Sequence, residues 1–407
     1  MATIAVLGTF DTKGEEHGYV AELIRARGHA TVLIDVGALE APRITPDVPR
    51  TEIADAAGAD LAGIVVRRDR GEAVAAMTRG APIVVRRLQE AGKIDAVISL
   101  GGGGGTAICT AAMRALPIGF PKLMVSTLAS GNTAPYVGVK DIVLMPSVVD
   151  VAGLNRLSRI LLAQAAGAIC GMVEARVPAG GSDKPVILAS QFGNTTPCVT
   201  HARGLLEKAG YEVMIFAATG NGGRTLESLA EAGIAAGVLD ITTTEWADEL
   251  VGGVLTAGPT RCDAAARMGI PAILTPGCLD MVNFGEPASV PEKFKGRRFY
   301  HHNAQVTLMR TNVEECAELG RILARKCNAS TGPVTVLLPL KGISVISAPG
   351  QPFHWPEADA ALFGEWKRNL RPGIPVIEYN GNINDPAFAE WCVAELQKNI
   401  ATARVAR

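Results

Sequence analysis

The chain has few aromatic residues, 5% of the total, and almost no imbalance of charge: 39 Lys and Arg face 40 Asp and Glu, for a net charge of -1. That balance, with no Lys/Arg stripe interleaved with aromatics, argues against a nucleic-acid partner. Eight cysteines (109, 170, 198, 262, 278, 316, 327, 392) are scattered without a Cys-x-x-Cys pair or a Cys/His cluster at zinc spacing, so they read as reduced thiols rather than a disulfide or zinc framework. The N-terminus enters an apolar strand directly, without a secretory leader, and no apolar run of about 18 residues is free of polar interruption. The expectation is a soluble, cytoplasmic protein without a membrane partner.

Glycine is what the sequence has in abundance. Five in a row, Gly101 to Gly105, follow an apolar run ending at Leu100 and precede a segment from Thr106 to Leu116 that reads as a helix. Strand, glycine loop and helix make an anion site: bare backbone turns tightly, and the helix start offers free N–H groups and its positive dipole end. Five ordered glycines each carry an entropy cost of roughly 0.5 to 1 kcal/mol against alanine, more than a plain turn requires. No Gly-Lys-Ser/Thr follows the run, so it is not a Walker A loop, and it is not a Rossmann fingerprint on the first strand.

The 407 residues and 48% hydrophobic content suit two domains. The turn-rich stretch from Val177 to Pro185 separates two halves that open alike, so the boundary is set at residues 1–180 and 181–407. Each half begins with a strand (Ile4 to Leu7, Val186 to Ala189), a polar loop, a helix, a glycine (Gly28, Gly210) and a second strand (Ala30 to Asp35, Glu212 to Ala217). Further apolar runs at 95–100, 122–126, 142–144, 237–241, 272–275, 334–339 and 375–379 alternate with helical segments. The predicted class is α/β, two Rossmann-like doubly wound parallel-sheet domains. The apolar stretch 153–173, broken by Asn155, Arg156, Arg159 and Gln164, reads as a buried inter-domain or dimer helix rather than a span.

Ligands of open parallel sheets sit beyond the carboxyl ends of the strands, so those loops carry the candidate chemistry. Thr9, Asp11, Thr12 and Lys13 follow the first strand, and Lys13 supplies a point charge that the glycine run lacks. Asp35 ends the second strand, where an acid takes ribose hydroxyls or merely closes a turn. Thr106 caps its helix or faces a metal, and Ser130, Gly131, Asn132 and Thr133 either complete a nucleotide pocket or satisfy their own backbone. In the second half, Glu245, Asp280, His302 and Lys341 border strand ends and form, with Lys13, the candidate acid/base and anion set. His301 and His302 are adjacent and on a strand would face opposite sides, which disfavours a shared metal. Cys278 reads as a bystander.

Taken together, residues 8–14, the glycine run with Thr106, and residues 130–133, 276–285 and 338–342 resemble a known family over essentially the whole chain. It is the ATP-binding domain family that includes the tomato tobamovirus-resistance protein and its bacterial relatives. The resemblance implies two Rossmann-like subdomains, ATP binding with magnesium, and a homodimer or higher homo-oligomer; it implies no settled reaction and no particular metal ligands. Carried onto this chain, the nucleotide-facing positions are Thr9, Asp11, Thr12, Lys13, Gly102, Gly103, Gly104, Gly105, Thr106, Ser130, Gly131, Asn132 and Thr133. The leading expectation is an ATP-dependent enzyme whose first half grips the nucleotide and whose second half presents a small carboxylated or phosphorylated metabolite across the cleft. Two alternatives stay open: a non-catalytic, ATP-regulated binding module, and a lyase or hydrolase with its active site in the C-terminal domain.

Overall fold

The computed structural model describes residues 1–37, 39–175 and 184–405. Most of the linker read at 177–185 lies outside them. The chain divides into two compact units, Met1–Gly180 and Gly181–Arg407.

The first unit is built on five parallel strands: β1 (Thr3–Gly8), β2 (Ala30–Asp35), β3 (Ala96–Gly101), β4 (Lys122–Ser126) and β5 (Val143–Pro146), in the order β2-β1-β3-β4-β5. Strand alternation divides the core in two. Ile4 and Val6 point to one face, under helices Phe10–Ala26 and Arg156–Glu174. Ala5 and Leu7 point to the other, under helices Arg70–Glu90 and Gly103–Arg114. Both faces of a parallel sheet are covered, which is why its strands read as nearly continuous apolar runs.

The second unit repeats this plan. Strands β6 (Val186–Gln191), β7 (Glu212–Ala217), β8 (Ala235–Thr242) and β9 (Ala272–Gly277) lie in the order β7-β6-β8-β9. A three-stranded antiparallel sheet then intervenes: β10 (Met281–Phe284), β11 (Phe299–Asn303) and β12 (Val306–Arg310), ordered β10-β12-β11. The parallel sheet is completed by β13 (Val334–Pro339) and β14 (Val376–Tyr379) beyond β9. Both parallel sheets therefore run second, first, third, fourth and fifth strand, the second sheet adding a sixth at its end, and in each the order reverses between the first and third strands.

Three boundaries differ from the sequence reading. The polar segment after β1 is helical from Phe10, with a kink at Lys13 (φ -128°, ψ 30°), so Asp11, Thr12 and Lys13 sit in a first turn rather than a loop. The glycine run is not a loop either: Gly101 ends β3, Gly102 is the N-cap, and Gly103, Gly104 and Gly105 form the first turn of helix Gly103–Arg114. Helix Arg156–Glu174, though long and apolar enough for a span, lays Leu162, Ala165, Ala166 and Ile169 on the first unit's own sheet and leaves Leu157 and Ile160 exposed. It is an outer-layer helix of that unit.

Candidate functional site

A cavity of about 790 Å³ opens at the carboxyl edge of the first sheet, where the strand order reverses. Parallel-sheet geometry brings the ends of all five strands there: Thr9, Asp11, Thr12 and Lys13 after β1, Gly37 and Leu39 after β2, Gly102 to Gly105 after β3, Ser126, Thr127 and Ser130 around the end of β4, and Ser147 to Asp150 after β5. Helix Arg70–Glu90 adds Arg70, Val74 and Met77.

Unlike Gly37, whose Cβ would strike the Asp11 carboxylate, Gly102 to Gly105 answer no demand of conformation or packing within the described residues. None of Gly101 to Gly105 has a positive φ. A Cβ built on Gly102, Gly103, Gly104 or Gly105 would meet no atom closer than 3.6 Å. Neither backbone conformation nor packing excludes alanine there, and the bare main chain of these residues borders the cavity. Helix starts leave their first N–H groups without intrahelical acceptors, and here those groups belong to Gly103, Gly104 and Gly105.

Lys13 lines the cavity, and its Nζ donates to the Val151 carbonyl, tying the helix kink to the loop after β5. Asp11 is buried; its Oδ2 accepts from the Leu39 N–H at 3.2 Å and holds the loop beyond β2. Behind them His17 is fully buried, its Nδ1 2.7 Å from the Lys13 carbonyl oxygen, and burial pushes the imidazole down to about 4, so it is neutral. A Cβ at Gly8 would strike the His17 ring, so this glycine exists for close packing.

Five of the candidate nucleotide-site residues take other places. Asp35 is buried outside the cavity lining; its Oδ1 accepts from Phe10 N–H (3.1 Å) and Gly37 N–H (2.8 Å), a brace for the chain around β1 and β2. Thr106 is buried, its Oγ1 2.7 Å from Ser126 Oγ, and binds strand end to helix rather than ligand. Asn132 accepts from Ala134 N–H (3.3 Å), and Thr133 is the N-cap of the short helix Ala134–Val137. Of the segment 130–133 only Ser130 lines the cavity, so Gly131, Asn132 and Thr133 are not brought to it.

Arg70 and Val148 are among the lining residues that escaped the sequence reading. Arg70 has no hydrogen-bond or ion-pair partner among the described residues and stands beside the glycine turn, its guanidinium nitrogen 3.9 Å from where a Gly104 Cβ would lie. Val148 has φ 61°, rare for a β-branched residue, in a tight turn closed by Val149 N–H to the Ser147 carbonyl (2.6 Å) and by Ser147 Oγ to the Val149 carbonyl (2.7 Å). Its side chain is 72% exposed at the cavity wall.

The second unit uses its strand ends differently. Glu245 is buried at the start of helix Glu245–Val251; its Oε1 accepts from the N–H groups of Gly220 (2.7 Å) and Gly223 (3.0 Å), and its Oε2 from Arg261 Nε (2.6 Å). The amides at the start of helix Asn221–Glu231 thus receive a carboxylate from the protein itself. Arg261, also buried, forks onto both oxygens of Asp240 at 2.6 Å and reaches Glu227 at 3.2 Å. Asp280 is buried with Oδ2 on the Ser344 hydroxyl (2.8 Å), and burial pushes its carboxyl up to about 6. His302 lies exposed on β11, and Lys341 is exposed on the turn after β13. Glu245 is taken up by Gly220, Gly223 and Arg261, Asp280 is buried on Ser344, and His302 and Lys341 are exposed, with no hydrogen bond or ion pair joining any two of the four among the described residues, so they are not brought together as an acid/base set. Cys278 is buried, and burial pushes its thiol well up, which leaves it no nucleophile.

The comparisons with known proteins follow the same two units. Residues 2–178 match the N-terminal domain, and residues 184–400 the C-terminal domain, of the uncharacterised protein family UPF0261. The chain belongs to the UPF0261 family. A UPF0261 protein of Clostridium tetani is 48% identical over 387 residues, covering 95% of this chain and 96% of that protein. The ToMV resistance protein Tm-1(GCR237) of Solanum lycopersicum is 43% identical over 333 residues, 80% of this chain but 44% of the tomato protein. Among solved structures, the UDP-N-acetylglucosamine 2-epimerase of Rickettsia bellii aligns with 67% of this chain and 78% of its own at 12% identity and a TM-score of 0.23, too slight a likeness to carry an argument. Among the described residues no group of three or more His, Cys, Asp or Glu side chains is placed to hold a metal ion.

Proposed function

We propose that the first unit binds ATP, with the phosphate chain on the first-turn amides of Gly103, Gly104 and Gly105, and that this UPF0261 protein is an ATP-dependent enzyme acting on a small carboxylated or phosphorylated metabolite. The observation that carries the reading is that these glycines face a cavity and answer no internal demand of conformation or packing. The hydroxyls of Thr9, Thr12, Ser126, Thr127 and Ser130 line the same space and suit phosphate and ribose oxygens, while Leu39, Val74, Met77 and Ile108 offer an apolar wall to a base. Magnesium, in this reading, arrives bound to the phosphates. A cytoplasmic homodimer is the accompanying proposal.

A second reading, a non-catalytic ATP-regulated module, draws support from the dispersal of Glu245, Asp280, His302 and Lys341. The reading of a C-terminal lyase or hydrolase loses its support for the same reason.

Thermal unfolding with Mg-ATP, crossed with a panel of carboxylated and phosphorylated metabolites, tests the proposal. A ligand at a hundredfold excess over its Kd adds about 2.7 kcal/mol to stability. A rise in Tm with ATP, increased further by one metabolite, supports the enzyme; a rise with ATP alone and no turnover supports the module. No rise with any adenine nucleotide contradicts both.

A further inference from the structure

We infer that a second copy of this chain docks along the outer face of helix Arg156–Glu174, the two helices running antiparallel about a two-fold axis at Gln164. The inference rests on the homodimer reading above and gives it a contact surface; it does not depend on nucleotide binding.

The helix has two opposite faces. Leu162, Ala165, Ala166, Ile169 and Cys170 are buried against the first unit's sheet. At about 100° per residue, the other side carries Leu157, Leu161, Gln164, Ala168 and Gly171. These positions follow one another by steps of four, three, four and three, the spacing of a coiled-coil a/d seam. Leu157 is 39% exposed and Ile160 beside it 51%, and Gln164, Ala168 and Gly171 are exposed as well. No charged residue interrupts the stripe, which sets it apart from an ordinary solvated helix face.

The surface is complementary to itself. Laid antiparallel, Leu157 meets Gly171 of the partner subunit and Leu161 meets the partner's Ala168, large against small at both ends. A Cβ at Gly171 would meet nothing within 4 Å, so the room there is open to a leucine from outside. Gln164 falls on the axis, where two amides donate to and accept from each other. The charges agree with the sizes: Arg156, whose side chain has no partner among the described residues, comes opposite the partner's Glu174, an exposed carboxylate 2.9 Å from His29 Nε2. The two-fold forms that ion pair twice. A parallel pairing would set leucine on leucine at one end, leave a gap between glycines at the other and bring like charges together. Lipid suits the apolar stripe but answers neither the graded sizes, nor the central amide, nor the opposed charges.

Sedimentation equilibrium of the full chain tests this. The wild type is expected to dimerise with a Kd on the order of 1 to 10 µM, as suits a helix-pair contact at the small end of specific interfaces. Gln164→Glu sets two like charges on the axis, and Gly171→Leu fills the room kept for the partner's Leu157; each should weaken the dimer at least about 10-fold with the circular dichroism spectrum unchanged. Arg156→Glu and Glu174→Arg should each weaken it, and the double variant Arg156→Glu/Glu174→Arg should recover most of the loss. Because all eight native cysteines are buried, oxidation should cross-link Gln164→Cys to itself. Leu157→Cys should not cross-link, since 14 residues of helix, about 21 Å, separate it from its copy. A dimer indifferent to Gln164→Glu, Gly171→Leu and the charge exchange overturns this seam and leaves the homodimer standing, and self-cross-linking of Leu157→Cys overturns the antiparallel sense. A wild type monomeric at about 100 µM overturns seam and homodimer together, as does a monomer that instead floats with phosphatidylcholine/phosphatidylglycerol vesicles. None of these outcomes involves ATP, so the nucleotide reading stands or falls separately.

Discussion

Thr106 Oγ1 and Ser126 Oγ share a buried hydrogen bond of 2.7 Å that ties the first turn of the glycine helix to the end of β4. Ser126 Oγ also accepts from the Leu128 N–H at 3.0 Å, so the pair positions two walls of the cavity at once. Thr106→Val keeps the shape and removes the hydroxyl. We expect a loss of about 1 to 2 kcal/mol in urea unfolding and a weaker ATP complex, with Thr106→Ser close to wild type. A Thr106→Val protein as stable as the wild type would show the bond to be incidental.

Val148 holds a left-handed backbone that glycine adopts freely, and its side chain packs on little of the protein. Such strain costs of order 1 to 3 kcal/mol and persists where surrounding structure or function imposes it. Val148→Gly should therefore leave unfolding stability equal or raise it by about 1 kcal/mol, while ATP binds more weakly for want of an apolar contact. Loss of stability with unchanged binding would assign the valine to packing.

The Arg261 cluster predicts the opposite pattern. Glu227, Asp240 and Glu245 converge on one buried guanidinium, so Arg261→Ala strands carboxylates in the core of the second unit. The expected cost is about 3 to 5 kcal/mol, seen as early unfolding of residues 184–400 in hydrogen exchange. ATP affinity of the first unit should be unchanged, since every residue of the proposed nucleotide site lies between positions 9 and 150.

The two units should answer acid differently. His17 titrates at about 4 when folded against 6.5 when free, so the stability it confers is complete above pH 6.5 and falls away toward pH 4, by up to about 3 kcal/mol. Asp35, whose carboxyl burial pushes upward, works against that loss, so His17→Leu is the control. Asp248 is held by the Asn283 N–H (2.8 Å) and Nδ2 (2.7 Å), yet burial pushes its carboxyl up to about 7. Its contribution is complete below the ordinary carboxylate range and is lost as pH rises through 7, and Asp280 acts likewise near 6. Hydrogen exchange corrected for intrinsic rates should show residues 3–26 losing protection between pH 7 and 5 and residues 245–283 gaining it. Parallel responses in both segments would contradict these assignments.

The sheets were legible because a strand covered on both faces must be apolar throughout, and runs such as Ala96 to Leu100 and Val334 to Leu338 stand out from their polar flanks. The cavity edge was legible for a related reason, since parallel strands all point their carboxyl ends the same way. The helix starts at Phe10 and Gly103 were not, because Asp-Thr-Lys and consecutive glycines are poor helix formers whose conformation is set by packing. Arg70 sits in the run Arg67-Arg-Asp-Arg70, which reads as an ordinary solvated face until its neighbours are seen to be paired. The grouping of Glu227, Asp240, Glu245 and Arg261 depends on three separate connections between strands and helices, and no local spacing reveals it. Glu245 looked catalytic for the same reason that it is structural: a carboxylate at a strand end suits either a ligand or an unsatisfied helix start.

The central claim is that the glycine turn is bare for a ligand's sake, and Gly103→Ala tests it most directly. The new Cβ would have only Leu128 Cδ1 near it, at 4.0 Å, so the free fold accepts it. Calorimetry with Mg-ATP and urea unfolding, run on the same two proteins, should show the variant as stable as the wild type or up to about 1 kcal/mol more so, and at least about 10-fold weaker in ATP binding. A variant that binds ATP as the wild type does, or one that unfolds readily without ligand, would contradict the account.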